Sequence, residues 1–207
     1  MNEATRPRVP GLLRRGLRLE YLTITWNLIE AVVAIGFGIA AGSIALVGFG
    51  FDSTIEVFAA SVVIWELRGV GEDRERLALR LIAISFFVLT AYVVIEAGRD
   101  LLIRAEPSES VPGIALAALS LVVMPLLAIA KKRTGVAMGS APLIADSAET
   151  MLCALLSLIL LVGLLLNAAV GWWWADPVAA LAIAILAFRE GVEAWRGESH
   201  EADRHEP

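Results

Sequence analysis

Asp52 and Glu56, two acidic side chains, lie near the middle of an apolar stretch, residues 44–67, that contains no Lys or Arg. A carboxylate at the centre of a bilayer costs about 2.5–3.5 kcal/mol on insertion scales, and such residues persist where they face a cavity or a partner. Positions i and i+4 share one face of an α-helix. The spacing therefore predicts two carboxylates side by side on one helix, facing a common space.

A second pair has the same spacing. Glu149 and Cys153 are also four residues apart in an apolar stretch, and Asp146 lies one turn before Glu149. Carboxylate oxygen and thiolate sulfur both bind zinc, which favours four ligands in a tetrahedron. Two residues from each of two neighbouring helices would supply four, which predicts a divalent-metal site. Its predicted ligands are Asp52, Glu56, Glu149 and Cys153, with Asp146 as a second-shell or pathway acid.

Other interpretations of these residues stay open. Asp52 could be a structural acid bonded to a neighbour such as Ser53, and a lone Cys153 is often a small packing residue. Asn27 and Glu30, in an earlier apolar run, are weaker signals and are expected in the second shell or the pathway. Two further candidates, His200 and His205, are expected in a solvated tail.

The elements that must position these side chains are long apolar helices. The chain has 207 residues, 58% of them hydrophobic, and a mean hydropathy of +0.74, whereas a soluble domain is closer to half apolar. Each of six runs is long enough to cross a ~30 Å hydrocarbon core. The sequence therefore predicts an all-α integral membrane protein with six transmembrane helices at 20–195, flanked by polar tails at 1–19 and 196–207. The runs are 20–41, 44–67, 78–103, 111–130, 141–168 and 172–195.

The basic residues predict an orientation. Fifteen of the 17 Lys and Arg lie in the tails, in alternate connections such as 131–140, or in the adjoining ends of the runs (Arg80 and Arg189). Only Arg99 and Arg104 lie at the other ends of the runs. The positive-inside rule then puts both termini in the cytoplasm. Residues near Gly71 are expected inside and those near Glu106 outside.

Three stretches of the chain resemble the cation diffusion facilitator, or cation efflux, family. The stretch WNLIEAVVAIGFGIAAGSIALVGFGFDSTIEV (26–57) is similar to the family's first hairpin. IADSAETMLCALLSLILLVGLLLN (144–167) is similar to its fifth span, and WWWADPVAALAIAI (172–185) to the start of its sixth. The resemblance covers roughly residues 20–195.

The resemblance implies transport-site ligands at the same four positions. Three depart from the family's commonest residues: Glu56 replaces an Asp, Glu149 a His and Cys153 an Asp. The family's usual cytoplasmic domain has no counterpart in 196–207, so we expect its transmembrane domain only.

The resemblance also implies the activity and its setting. We expect export of a divalent transition metal by proton-coupled antiport with alternating access, with zinc first and cadmium, iron or manganese as other candidates. The expected setting is a multi-pass homodimer in the lipid of the plasma (inner) membrane, with metal and protons as partners, no nucleic acid and no prosthetic group.

Two rival functions compete with transport. An intramembrane hydrolase with an acid or Cys153 as nucleophile would need a base, and both histidines lie in the tail; we therefore expect a protein that is not an enzyme. A non-transporting membrane metal-binding or scaffold protein remains the alternative.

Overall fold

The chain folds into helices throughout the part that a computed structural model describes, residues 10–68, 72–105 and 107–202. Six helices follow one another along these ranges, which contain no strand, and this confirms the all-α prediction. In chain order the helices are α1 (Pro10–Ala41), α2 (Ile44–Leu67), α3 (Glu72–Ile103), α4 (Val111–Met138), α5 (Ala141–Val170) and α6 (Ala175–Ala202).

Four of the helices in the described ranges are long and apolar enough to cross a membrane, so the chain is a multi-pass membrane protein. Their apolar segments are Gly11–Ala41, Ile44–Trp65, Val111–Met138 and Glu149–Val170. The other two, α3 and α6, are 32 and 28 residues long and carry charged residues towards their ends. Six spans, and the orientation of the termini, therefore stay predictions. Gly71 and Glu106, the residues expected to mark the two sides, lie outside the described residues.

Of the helices that extend beyond the apolar runs, α1 and α4 do so furthest. α1 begins at Pro10, inside the segment expected as a polar tail. α4 continues to Met138, so the prediction of a link at 131–140 is wrong: only Gly139 and Ser140 separate α4 from α5. Gly139 ends α4 in the left-handed conformation, at φ 65° and ψ 30°, and the Ser140 hydroxyl accepts from the Leu143 amide to cap α5.

The helices pack as three antiparallel pairs, α1 with α2, α4 with α5, and α3 with α6. In the first pair, glycine permits close approach. A Cβ on Gly38 would come within 2.8 Å of the Val47 side chain, and one on Gly50 within 2.6 Å of Ile35. Small residues thus allow the two helices of this hairpin to pack closely. α2 is placed centrally, in contact with α1, α3, α5 and α6.

Polar contacts tie together the end of the bundle where α2 and α6 begin. The Asp176 carboxylate accepts from the Ser43 hydroxyl and, at 3.3 Å, from the Ala45 amide. The Asn167 amide donates to the Pro107 carbonyl at 2.9 Å. At the opposite end Leu67 and Leu143 pack with Leu17 and Met138, and nearby the Arg68 guanidinium donates a hydrogen bond to the Tyr21 hydroxyl.

Side-chain exposure is the reverse of that in a soluble protein. Large apolar side chains cover the outside, for example Leu102 and Val32, which are 86% and 74% exposed. Meanwhile Glu20, Glu30 and Lys131 are 0% exposed. This pattern suits a bundle surrounded by lipid, in which ionisable groups face inward.

Candidate metal site

All four predicted ligands line one small cavity between α2 and α5. Its volume is about 30 Å³, enough for a water-sized body. α2 contributes one pair at i, i+4 spacing and α5 the other, and Phe86 of α3 adds to the apolar remainder of the wall. The four side chains that share this cavity are Asp52, Glu56, Glu149 and Cys153.

The cavity is partly enclosed by its own ligand side chains and apolar neighbours. Asp52, Glu56 and Cys153 are buried, at 7%, 6% and 2% exposure, and Glu149 is half-buried. Ile55, Leu152 and Leu156 belong to the same wall. Polar donors in an apolar surround interact more strongly with a cation than they would in water, because the local dielectric is low.

The donors share the cavity without forming a closed coordination shell. Within 10–68, 72–105 and 107–202, no three Asp, Glu, Cys or His side chains converge closely enough to hold a metal ion. A tetrahedral zinc site needs ligand distances of about 2.0–2.3 Å. In this conformation the α2 and α5 pairs would therefore have to draw together around an ion.

Glu56 is the donor with the most unsatisfied bonding capacity. Neither of its carboxylate oxygens accepts a hydrogen bond of ordinary geometry within the described part of the chain, although Cys153 and Thr150 lie beside it. A buried carboxylate without such bonds is costly. A cation or a proton in the cavity would remove that cost, so the donor set fits a divalent ion as substrate.

The two polar residues predicted in α1 lie elsewhere. Glu30 is held by the Trp26 indole at 2.6 Å, by the Ser53 hydroxyl at 3.3 Å and by the Ser120 hydroxyl. The Asn27 amide donates to the Thr23 carbonyl in its own helix at 3.1 Å. Neither side chain lines the cavity. Glu30 is connected to it only through its hydrogen bond with Ser53, the residue next to the cavity-lining Asp52 in the chain.

The match to a known family covers most of the bundle. Residues 21–197 match the model of the cation efflux transmembrane domain. The chain belongs to the cation efflux family. The resemblance seen in the three sequence stretches is thus confirmed, and the matched region spans α1 to α6.

One relative of this cation efflux chain is Transmembrane protein 163 of Xenopus laevis. The two are 23% identical over 187 residues, which is 87% of this chain and 66% of the relative. The chain therefore spans about two thirds of the relative's length. At this identity and coverage the likeness supports the family assignment and leaves the activity to be proposed from the site.

A second buried cluster was missed by the sequence analysis. Lys131, grouped there with the cytoplasmic charges, is fully buried in α4 and forms ion pairs with Asp146 of α5 and, at 3.2 Å, with Glu20 of α1. Its ammonium also donates to the Thr150 hydroxyl at 3.1 Å. Asp146 is therefore placed next to the cavity region but paired with Lys131, outside the cavity wall.

Neither histidine side chain of the C-terminal tail lies in the part of the structure that is described. His200 falls in the last turns of α6, where only the backbone is described, and His205 lies outside the described residues.

Proposed function

We propose that this cation efflux chain transports a divalent transition metal across the membrane, with zinc as the first candidate and cadmium, iron and manganese as the others. The single observation that carries the proposal is that α2 and α5 bring four metal-competent donors, three acids and one thiol, to one partly enclosed cavity. Such donors in a membrane interior mark an ion pathway.

The chemistry of the donors supplies a coupling to protons. Carboxyl and thiol groups bind a metal in their deprotonated form, so loading the cavity with metal releases protons. Protons taken up on the far side would displace the metal and reset the donors. Exchange of cytoplasmic metal for external protons follows if the cavity is open to one side at a time.

The packing offers a route to such alternation. The cavity lies between α2, which belongs to the α1–α2 hairpin, and α5, which belongs to the α4–α5 hairpin. A small relative movement of the two hairpins would change both the separation of the ligand pairs and the side from which they are reached. Plasma-membrane location and a homodimeric assembly are parts of the same proposal.

Flux into liposomes tests the proposal. Purified wild-type protein is reconstituted and the uptake of zinc, cadmium, iron and manganese is measured, with the pH inside the vesicles recorded at the same time. Asp52→Asn and Glu149→Gln keep the shape of the side chain and remove a charge from the cavity, and each is expected to abolish flux at unchanged expression.

The matched control is Glu96→Gln, because Glu96 lies outside the cavity and pairs with the exposed Arg99. It should transport like wild type. Normal flux in Asp52→Asn or Glu149→Gln would show that the replaced residue is not a metal ligand. Metal binding without flux in the wild-type protein would favour the alternative, a non-transporting metal-binding or scaffold protein.

A further inference from the structure

Lys131 joins three helices through its side-chain ammonium. Its ammonium lies 3.2 Å from the Glu20 carboxylate of α1 and pairs with the Asp146 carboxylate of α5, while its own backbone belongs to α4. The side-chain exposures are 0% for Lys131, 0% for Glu20 and 2% for Asp146. The cluster therefore links α1 to the α4–α5 hairpin inside the bundle, where water does not screen it.

The two acids of the cluster lack part of the hydrogen bonding that buried carboxylates usually have. Both oxygens of Glu20, and Oδ1 of Asp146, have no hydrogen-bond partner within the described ranges. Glu20 Oε2 meets the Lys131 ammonium only as an ion pair, at 3.2 Å. One ammonium thus serves two carboxylates. Removing one partner from a buried ion pair strands an uncompensated charge, which is strongly unfavourable. The Lys131 ammonium therefore adds an ionic contact to the apolar packing that holds α1 against α4 and α5 here.

The neighbours of Lys131 in the chain behave differently. Lys132 and Arg133 are exposed, as expected for basic residues near the end of a helix. Only Lys131 turns inward, to meet the two acids. Of these three consecutive basic residues, two are therefore surface charges, and Lys131 alone is an interior charge.

The cluster lies one helical turn from the metal cavity. Along α5, Asp146 precedes the ligand Glu149 by one turn, and Thr150, which contacts the Lys131 ammonium, precedes the ligand Cys153 by one turn. Both Lys131 and Asp146 fall between these ligands and the turn that joins α4 to α5. The cluster thus flanks the end of the cavity that faces this turn.

We propose that Lys131 is a tethered cation that closes the α4–α5 end of the metal path by pairing with Glu20 and Asp146, and that it must leave them before a metal ion can pass. The inference rests on the proposed transport function, since it concerns the path to the same cavity. While Lys131 is paired, it occupies the carboxylates that would otherwise attract an incoming cation. It is a gating residue that acts beside the ligands and is not itself a ligand.

The chain's single cysteine reports on this gate. Cys153 is the one thiol in the sequence, and it lines the cavity at 2% exposure. Its rate of reaction with a small cationic methanethiosulfonate reagent, followed by mass spectrometry on purified protein without metal, measures how often the cavity opens. Lys131→Met removes the charge and keeps a long apolar side chain; Lys132→Met is the matched control on the exposed face.

We expect Lys131→Met to react with the reagent about tenfold faster than wild type or more, which corresponds to about 1.4 kcal/mol in the opening equilibrium. Lys132→Met and the charge-conserving Lys131→Arg should react at the wild-type rate. Unchanged labelling in Lys131→Met, or equal acceleration in Lys132→Met, would overturn the gate.

A second variant, in which the whole cluster is neutral, keeps the test decisive if the single variant misfolds. In the triple variant Lys131→Met, Glu20→Gln and Asp146→Asn, none of the three buried charges remains, and such replacements are often tolerated. It too should label faster, and a wild-type rate would overturn the proposal. Protection of wild-type Cys153 by added zinc tests the proposed function separately: accelerated labelling in Lys131→Met with no zinc protection would keep the gate and reject metal binding at the cavity.

Discussion

Glu56 of α2 and Cys153 of α5 are both buried and lie side by side on the wall of one cavity. The carboxylate oxygens of Glu56 find no hydrogen bond of ordinary geometry in the described part of the chain. A hard oxygen donor and a soft sulfur donor thus share the space that the two helices leave between them. The fold tolerates an unsatisfied acid at this position, and a bound cation would satisfy it.

Replacing Glu56 by Met should stabilise the metal-free protein and abolish its response to zinc. The change removes a buried polar group that costs about 1–3 kcal/mol when unsatisfied, and it removes a proposed ligand. Thermal unfolding in detergent, with and without zinc, measures both effects. Wild type should gain about 2.7 kcal/mol at a zinc concentration of about one hundred times Kd.

Glu96→Met is the control for this experiment, because Glu96 is a partly exposed acid away from the cavity. It should keep the zinc response. If Glu56→Met unfolds earlier than wild type and still responds to zinc, Glu56 is a structural residue and not a ligand.

Cys153 should tune which metal is carried. A thiolate is a softer ligand than a carboxylate and favours zinc or cadmium over manganese. Cys153→Asp makes the donor set all carboxylate and should shift preference towards harder ions. Cys153→Ala should weaken zinc and cadmium more than manganese, by roughly tenfold in relative affinity, or about 1.4 kcal/mol. Competitive uptake into vesicles is the measurement; identical selectivity in all three proteins would leave Cys153 as packing only.

The sequence predicted the helices and the cavity better than it predicted the interior charges. Hydropathy located α2 and α5, and their i, i+4 pairs determined which side chains could meet, because helical geometry is local. The inward turn of Lys131 depends on Glu20, far away in the chain, and on Asp146 across a turn whose position was misjudged. With α4 expected to end at residue 130, Lys131 counted as a loop charge.

A signal for the ion pair was nevertheless present. Lys131 and Asp146 lie at similar distances on either side of Gly139 and Ser140, the left-handed cap and the N-cap that end α4 and begin α5. An antiparallel hairpin that turns at those two residues brings the two charges to the same depth. Recognising the Gly-Ser turn would have replaced the loop assignment with a buried pair.

The orientation can be tested by introducing cysteines into a Cys153→Ala background. Ser108 is exposed in the α3–α4 connection, and Arg133 is exposed near the end of α4. If the basic ends face the cytoplasm, Ser108→Cys reacts with an impermeant maleimide in intact cells, and Arg133→Cys reacts only after permeabilisation. The opposite pattern would invert the topology drawn from the basic residues.

Asp176 should be a stabilising link between α6 and α2. It is 1% exposed and accepts from the Ser43 hydroxyl and the Ala45 amide, so it satisfies an otherwise unpaired donor at the start of α2. Hydrogen bonds to charged groups contribute about 1.5–3 kcal/mol each. Asp176→Ala should therefore lower the free energy of unfolding by about that amount or more, measured by denaturant titration in detergent.

Two further variants separate this link from a general loss of charge. Ser43→Ala should cost less than Asp176→Ala, because the Ala45 amide keeps its acceptor, and the double variant should cost less than the sum of the two single changes, since the partners interact directly. Glu193→Ala, at an exposed acid of the same helix, should be nearly neutral. Additive losses in the double variant, or an equal loss in Glu193→Ala, would show that the α2–α6 contact contributes nothing specific.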